Sequence, residues 1–223
     1  MKKYLALLAA ALLQTGAWAA TYTFAGPTYT SLQDYSAPCA VGTCANFNAA
    51  MQQTGHFTTS QPLPPNQSSL DIAPLITWYD FNDGVTSYTM NGLNTRLAMA
   101  KVSTDAAGQI VDTDIVFQWW QTGSHGVGDR LSYMSVNFAS YFNRTCTSLE
   151  SPDVCNTFGD DSAASHGFAH FAEGSDGWTS DVPVVAPGGP QSVPVDNPFA
   201  LALTAAGLLG LALRARQKLL FKT

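Results

Sequence analysis

Apolar and polar residues alternate in short runs through the middle of the chain, with a period near two and no sustained period of 3.6. Residues 21–24, 56–60, 75–81, 85–90, 97–104, 110–120, 131–138 and 167–171 are rich in β-branched and aromatic side chains, with Gly, Pro, Asn and Asp between them. Each run reads as a β-strand. Residues 46–53 alone suggest a short helical turn, which Gly55 would end. The sharpest local unit is 101–111, where two strands flank a turn in which Gly108 can take a left-handed conformation and Asp105 can accept from local amides. In the strand that follows, alternation puts Val111, Thr113, Ile115, Phe117 and Trp119 on one face, the expected core face. Ile110, Asp112, Asp114, Val116, Gln118 and Trp120 take the other. Strands at such short spacing predict a mainly β domain, an antiparallel β-sandwich or open barrel.

The pattern breaks at both ends. Lys2 and Lys3 precede an apolar run over 4–13, and Ala17-Trp18-Ala19 has the small-x-small form that a signal peptidase accepts. Residues 1–19 therefore read as a signal peptide with a short apolar helix, cleaved after Ala19. At the other end Val193, Pro194, Val195, Asp196, Asn197 and Pro198 lead into an apolar stretch over 199–213, followed by Arg214, Arg216 and Lys218. A helix over that stretch is about 22 Å long, short for a hydrocarbon core of roughly 30 Å. Snorkelling Arg214 would extend it as a transmembrane helix, with the basic tail on the cytoplasmic side. The chain thus divides into a signal peptide (1–19), a β-rich extracytoplasmic domain (20–181), a Pro/Gly linker (182–192) and a C-terminal segment (193–223).

That C-terminal order of Pro-containing motif, apolar helix and basic cluster resembles the tripartite sorting signals of bacterial exported proteins, the PEP-CTERM and IPTL-CTERM type. Val193-Pro194 matches the opening of the motif, whereas Val195-Asp196 stands where the one type has Glu-Pro and the other Thr-Leu. The resemblance implies recognition in the membrane by an exosortase-like enzyme, cleavage near the motif and delivery to the cell surface or extracellular matrix. Within the domain, the run Ser103 to Ile110, Thr54-Gly55-His56-Phe57-Thr58, the segment Phe81 to Val85 and Asp176-Gly177-Trp178-Thr179 resemble recurring segments of proteins with such tails. None of these is a catalytic motif, so the resemblance implies a kind of surface protein and no activity.

Charge narrows the partners. Only 12% of the 223 residues are charged, and between the two ends four basic residues (Arg96, Lys101, Arg130, Arg144) face fifteen acidic ones, a formal charge of −11. A domain so acidic repels nucleic acid and anionic headgroups, which excludes nucleic-acid binding. In an exported chain four cysteines suggest disulfides, and nearest-neighbour pairing joins Cys39 to Cys44 and Cys146 to Cys155 across turn-prone residues. A zinc site is the competing use of these thiols, although neither spacing is that of a zinc knuckle.

Candidate chemistry is sparse. His166 and His170, with Asp160, Asp161 and Glu173 nearby, would share a face on a helix or a strand and are the weak metal candidates; the helix-borne metalloprotease signature is absent. Asp80, Asp83, Asp112, Asp114, Asp129, Asp160, Asp161 and Asp176 could group into calcium sites, but no loop has the required spacing. Trp78, Tyr79, Trp119, Trp120, Tyr133 and Tyr141 could form a platform for sugars, and an exposed Trp120 beside acceptors would favour it. No nucleophile motif or phosphate loop occurs. Three functions follow in order: a non-enzymatic cell-surface or matrix protein, a module that binds extracellular polysaccharide, and a secreted metal-dependent hydrolase.

Overall fold

The computed structural model describes residues 18–170 and 177–183. Ala17 and the rest of the expected signal peptide before it, the expected linker from 184, the expected sorting motif, the 199–213 stretch and the basic residues after it lie outside the described residues, as do Glu173 and Asp176. Among the described residues no helix is long and apolar enough to cross a membrane.

The described chain is mainly β. Its strands are β1 (Ala20–Thr28), β2 (Ser31–Gln33), β3 (Gln52–Thr59), β4 (Leu70–Asp71), β5 (Ile76–Asn82), β6 (Ser87–Thr89), β7 (Thr95–Thr104), β8 (Ile110–Trp120), β9 (Arg130–Ser135), β10 (Ala139–Ser151), β11 (Val154–Gly159), β12 (Ser165–Phe168) and β13 (Trp178–Ser180), with a single 3-10 turn at Ala73–Leu75. A five-stranded sheet runs in the order β13-β1-β3-β5-β6. A larger one runs β2-β12-β10-β9-β8-β7-β4, with β11 paired to the far half of β10. All the strand pairings are antiparallel.

The two sheets share one core. Tyr22, Phe24, Phe57, Tyr79, Phe81 and Tyr88 of the smaller sheet meet Ala100, Val102, Ile110, Ile115, Phe117 and Met134 of the larger, which makes the domain a sandwich. Gly55 of β3 is required by this packing: the Phe81 ring lies where a Cβ would be, 2.4 Å away. The chain crosses between sheets after β1, and the crossing is fastened by buried polar groups. The Tyr29 hydroxyl donates to the Asp83 carbonyl at 2.9 Å and accepts from the Ser140 hydroxyl at 2.8 Å, while Gln53 Nε2 donates to Ser140 Oγ and to the Ser135 carbonyl.

The 101–111 hairpin forms as expected: Gly108 has φ +77°, and Asp105 Oδ1 accepts from the amides of Ala107 and Gln109. Ile115, Phe117 and Trp119 face the core. Val111 does not, because the β7–β8 register slips between Ser103–Asp112 and Thr104–Ile110. This bulge turns Val111 out, half exposed, and turns Ile110 in. Two further expectations fail. Residues 46–53 form no helix, since Gln52 and Gln53 already belong to β3. The 131–138 run ends as strand at Ser135, with Phe138 in the turn to β10.

Five strands lie outside the predicted runs, β10 and β11 being the longest. In β10 the stretch 147–151 is largely exposed, with Leu149 its one apolar residue, and carries no apolar alternation to read. The β10–β11 hairpin curls over the outer face of the larger sheet. Gln118 clamps it there, accepting from the Cys155 amide at 2.9 Å and donating to its carbonyl at 2.7 Å, and the Trp120 indole donates to the Asp153 carbonyl. The Cys146–Cys155 disulfide fixes the curl, and Cys39 pairs with Cys44. Replacing Cys146 and Cys155 together by Ala is expected to cost roughly 2–3 kcal/mol, the loop-closure value for a ring of this size. Urea denaturation of the double variant beside the parent checks this, and an unchanged midpoint would refute it.

Candidate functional site

The curled hairpin leaves half of that outer face open. On the open half, register aligns Tyr133 of β9, Tyr141 of β10 and His166 of β12, with Gln33 of β2 at the end of the row. Phe168 stands one rung along, and Phe138 reaches it from the β9–β10 turn. Phe158 of β11 closes the side next to the hairpin. Neighbouring ring centroids are 4.8–5.8 Å apart: Phe158 to Tyr133 5.0 Å, Tyr133 to Tyr141 5.8 Å, Tyr141 to His166 5.4 Å, His166 to Phe168 4.8 Å and Phe168 to Phe138 5.7 Å. All these rings are partly buried except Phe138, which is 52% exposed.

Charge on this strip is compensated. The Arg144 guanidinium lies 4.4 Å over the Tyr141 ring and 5.1 Å from the Phe158 ring, and it forks onto both oxygens of Asp160 at 2.6 and 3.1 Å. Burial lowers the His166 pKa, with Arg144 acting in the same direction and Asp160 against it, so the ring is neutral at neutral pH. Burial likewise raises the Tyr133 and Tyr141 hydroxyls, which stay protonated.

A concavity of about 430 Å³ opens between Thr43, Val85, Thr86, Ser87, Trp119 and Phe142. No charged side chain lines it. Behind its wall lies Asp83, fully buried, whose Oδ1 accepts from the amides of Val85 and Thr86 and whose Oδ2 accepts from the Tyr88 hydroxyl. Burial outweighs these hydrogen bonds and lifts the carboxyl from 3.8 to about 6.

The candidates read from sequence scatter. Trp120 is fully buried under the hairpin tip, its ring stacked 5.3 Å from His125, so it offers no surface to a sugar. Tyr79 belongs to the core and Trp119 borders it; Trp78 is partly exposed on the opposite sheet. Of the six aromatic residues, Tyr133 and Tyr141 alone meet on one accessible face. They do so with Phe138, Phe158, Phe168 and Arg144, which sequence reading did not select.

His166 is enclosed by Tyr141 and Phe168, while His170 lies exposed beyond the end of β12. Among the described residues no three His, Cys, Asp or Glu side chains converge to hold a metal ion. Asp160 pairs with Arg144, Asp161 with Arg130, and Asp129 caps the Gly126 amide. Asp112 and Asp114 lie opposite Ser103 and Lys101 on the outer face. Ala19 is exposed directly before β1.

Fold and surface together define an antiparallel two-sheet protein with an aromatic strip on one outer face. Comparison with family models, with curated proteins and with solved structures finds no match for the chain.

Proposed function

We propose that the chain is an exported, non-enzymatic cell-surface or extracellular-matrix protein, anchored in the envelope by its C-terminal helix and sorted by an exosortase-like enzyme. The observation that carries this reading is the closure of all four cysteines into two local disulfides on a lysine-poor, acidic β-domain, a chemistry suited to an oxidising compartment outside the cytoplasm. Signal peptidase would release the domain at Ala19, directly before β1. The linker would then hold the domain clear of the membrane.

Cell fractionation with mass mapping of both termini tests the proposal. The expected product begins at Ala20 and ends before Phe199, at the cell surface or in the medium. Retention of the intact tail in the membrane would overturn the sorting step, and a product that starts at Met1 would overturn export.

The aromatic strip favours a second reading, a polysaccharide-binding module, within the same exported protein. The hydrolase reading gains no support from His166, whose ring packs between aromatic neighbours.

A further inference from the structure

Resting on the binding-module reading, we propose that the strip Tyr133–Tyr141–His166–Phe168, edged by Phe138 and Phe158, binds a neutral glycan chain that lies across strands β9, β10 and β12. Three features of the face select this ligand class.

The first is shape. Successive rings follow one another at 4.8–5.8 Å across the sheet, steps comparable to the length of one pyranose residue. A row of partly exposed rings on a sheet presents apolar surface to the C–H faces of successive sugars. The curled hairpin forms a wall along one side through Phe158.

The second is charge. The two arginines on this outer face are both paired, Arg144 forked onto Asp160 and Arg96 bridged to Asp153, and Lys101 lies on β7 with Asp114 and Asp71 at its register positions on the neighbouring strands. Neither arginine is free to bind phosphate, sulfate or uronate, and Lys101 stands two strands away from Tyr133. With the domain at −11 overall, anionic polymers are repelled, and so is a second copy of the same domain. His166 held neutral by burial adds no charge at neutral pH.

The third is the hydrogen-bonding rim. The protonated hydroxyls of Tyr133 and Tyr141 can donate as well as accept, and Gln33, Ser31 and Ser135 occupy the same rungs of the sheet. These groups match equatorial sugar hydroxyls around an apolar centre.

The test uses the purified full-length protein in mild detergent, titrated by calorimetry with neutral oligosaccharides of glucan, mannan, xylan and galactan, and with alginate as the acidic contrast. Binding to at least one neutral glycan is expected, unchanged between low and high salt. The single variants Tyr141→Ala and Phe138→Ser are each expected to weaken it at least tenfold. Phe138 is the most exposed ring of the strip, so Phe138→Ser should leave the thermal midpoint unchanged and keeps the test valid if Tyr141→Ala unfolds. Three results would overturn the proposal: binding to none of the neutral glycans by folded protein, preference for alginate with loss in salt, or full affinity in Phe138→Ser. Self-association abolished by the same variants would place a second copy on the strip and overturn it too. None of these outcomes bears on export, which the termini decide separately.

Discussion

Replacing Phe117 by Ala is expected to lower the unfolding free energy by about 3–5 kcal/mol, the range for truncating a fully buried aromatic side chain. Phe117 is on β8 of the larger sheet, yet its ring packs 5.0 Å from Tyr79, 4.8 Å from Phe81 and 6.0 Å from Tyr88, all in the smaller sheet. Removing it takes away burial and leaves a cavity at the junction of the two sheets, where neither sheet can collapse without disturbing its own pairing. Phe117→Leu keeps most of the volume and should lose much less. Urea denaturation of both variants, followed by far-UV circular dichroism, measures the difference. A loss below about 1 kcal/mol in the Ala variant would mean that the sheets do not depend on a common core.

Asp83 gives the second large effect, and its signature is a pH dependence. Its folded pKa of about 6 lies above the ordinary 3.8, so between those values the folded protein holds a proton that the unfolded chain has released. Stability from this group is therefore fully present only below pH 3.8 and is lost as pH rises through about 6. The shift corresponds to about 3 kcal/mol. Asp153 and Asp161 act in the opposite sense. Hydrogen bonds from Arg96 and Arg130 hold their carboxyls below the usual range, so what they contribute is lost on acidification.

Asp83→Asn separates the two. An Asn can keep the bonds from the Val85 and Thr86 amides through its carbonyl oxygen and can donate to the Tyr88 hydroxyl. The stability of Asp83→Asn minus that of the parent is expected to rise by about 2 kcal/mol between pH 4 and pH 7. Denaturant titrations at four pH values provide the measurement, and a constant difference would show that Asp83 ionises in the folded protein as it does in the unfolded chain. Val85 and Thr86, whose amides Asp83 holds, also line the 430 Å³ concavity, so the same pH profile reports on that wall.

Much of the architecture was legible because strand periodicity is a local property. All eight predicted runs overlap a strand, and the 101–111 hairpin follows from Asp105 and Gly108, whose turn chemistry needs no distant partner. The disulfide pairs were legible for the same reason, since each closes over a short segment. The bulge at Val111 was not legible: it depends on how β7 and β8 settle their register at the hairpin end, and it exchanges the faces of Ile110 and Val111.

The aromatic strip was only half legible. Tyr133 and Tyr141 could be named from composition, but Phe138 was assigned to a strand, and β10 and β11 went unread because their apolar residues do not alternate regularly along the strands. Trp120 shows the limit most directly. Alternation put it opposite the core face, where an exposed position was open to it. The β10–β11 hairpin curls back, joins Cys155 to Gln118 and covers the indole.

By itself the sequence determined the β class, the positions of most strands, the local cysteine pairs and an acidic surface with almost no lysine, all properties carried by neighbouring residues. The tertiary structure alone decided which side of the larger sheet is covered and which is open. A strand exposes two equivalent faces, and which of them meets water depends on the distant segment that folds across it.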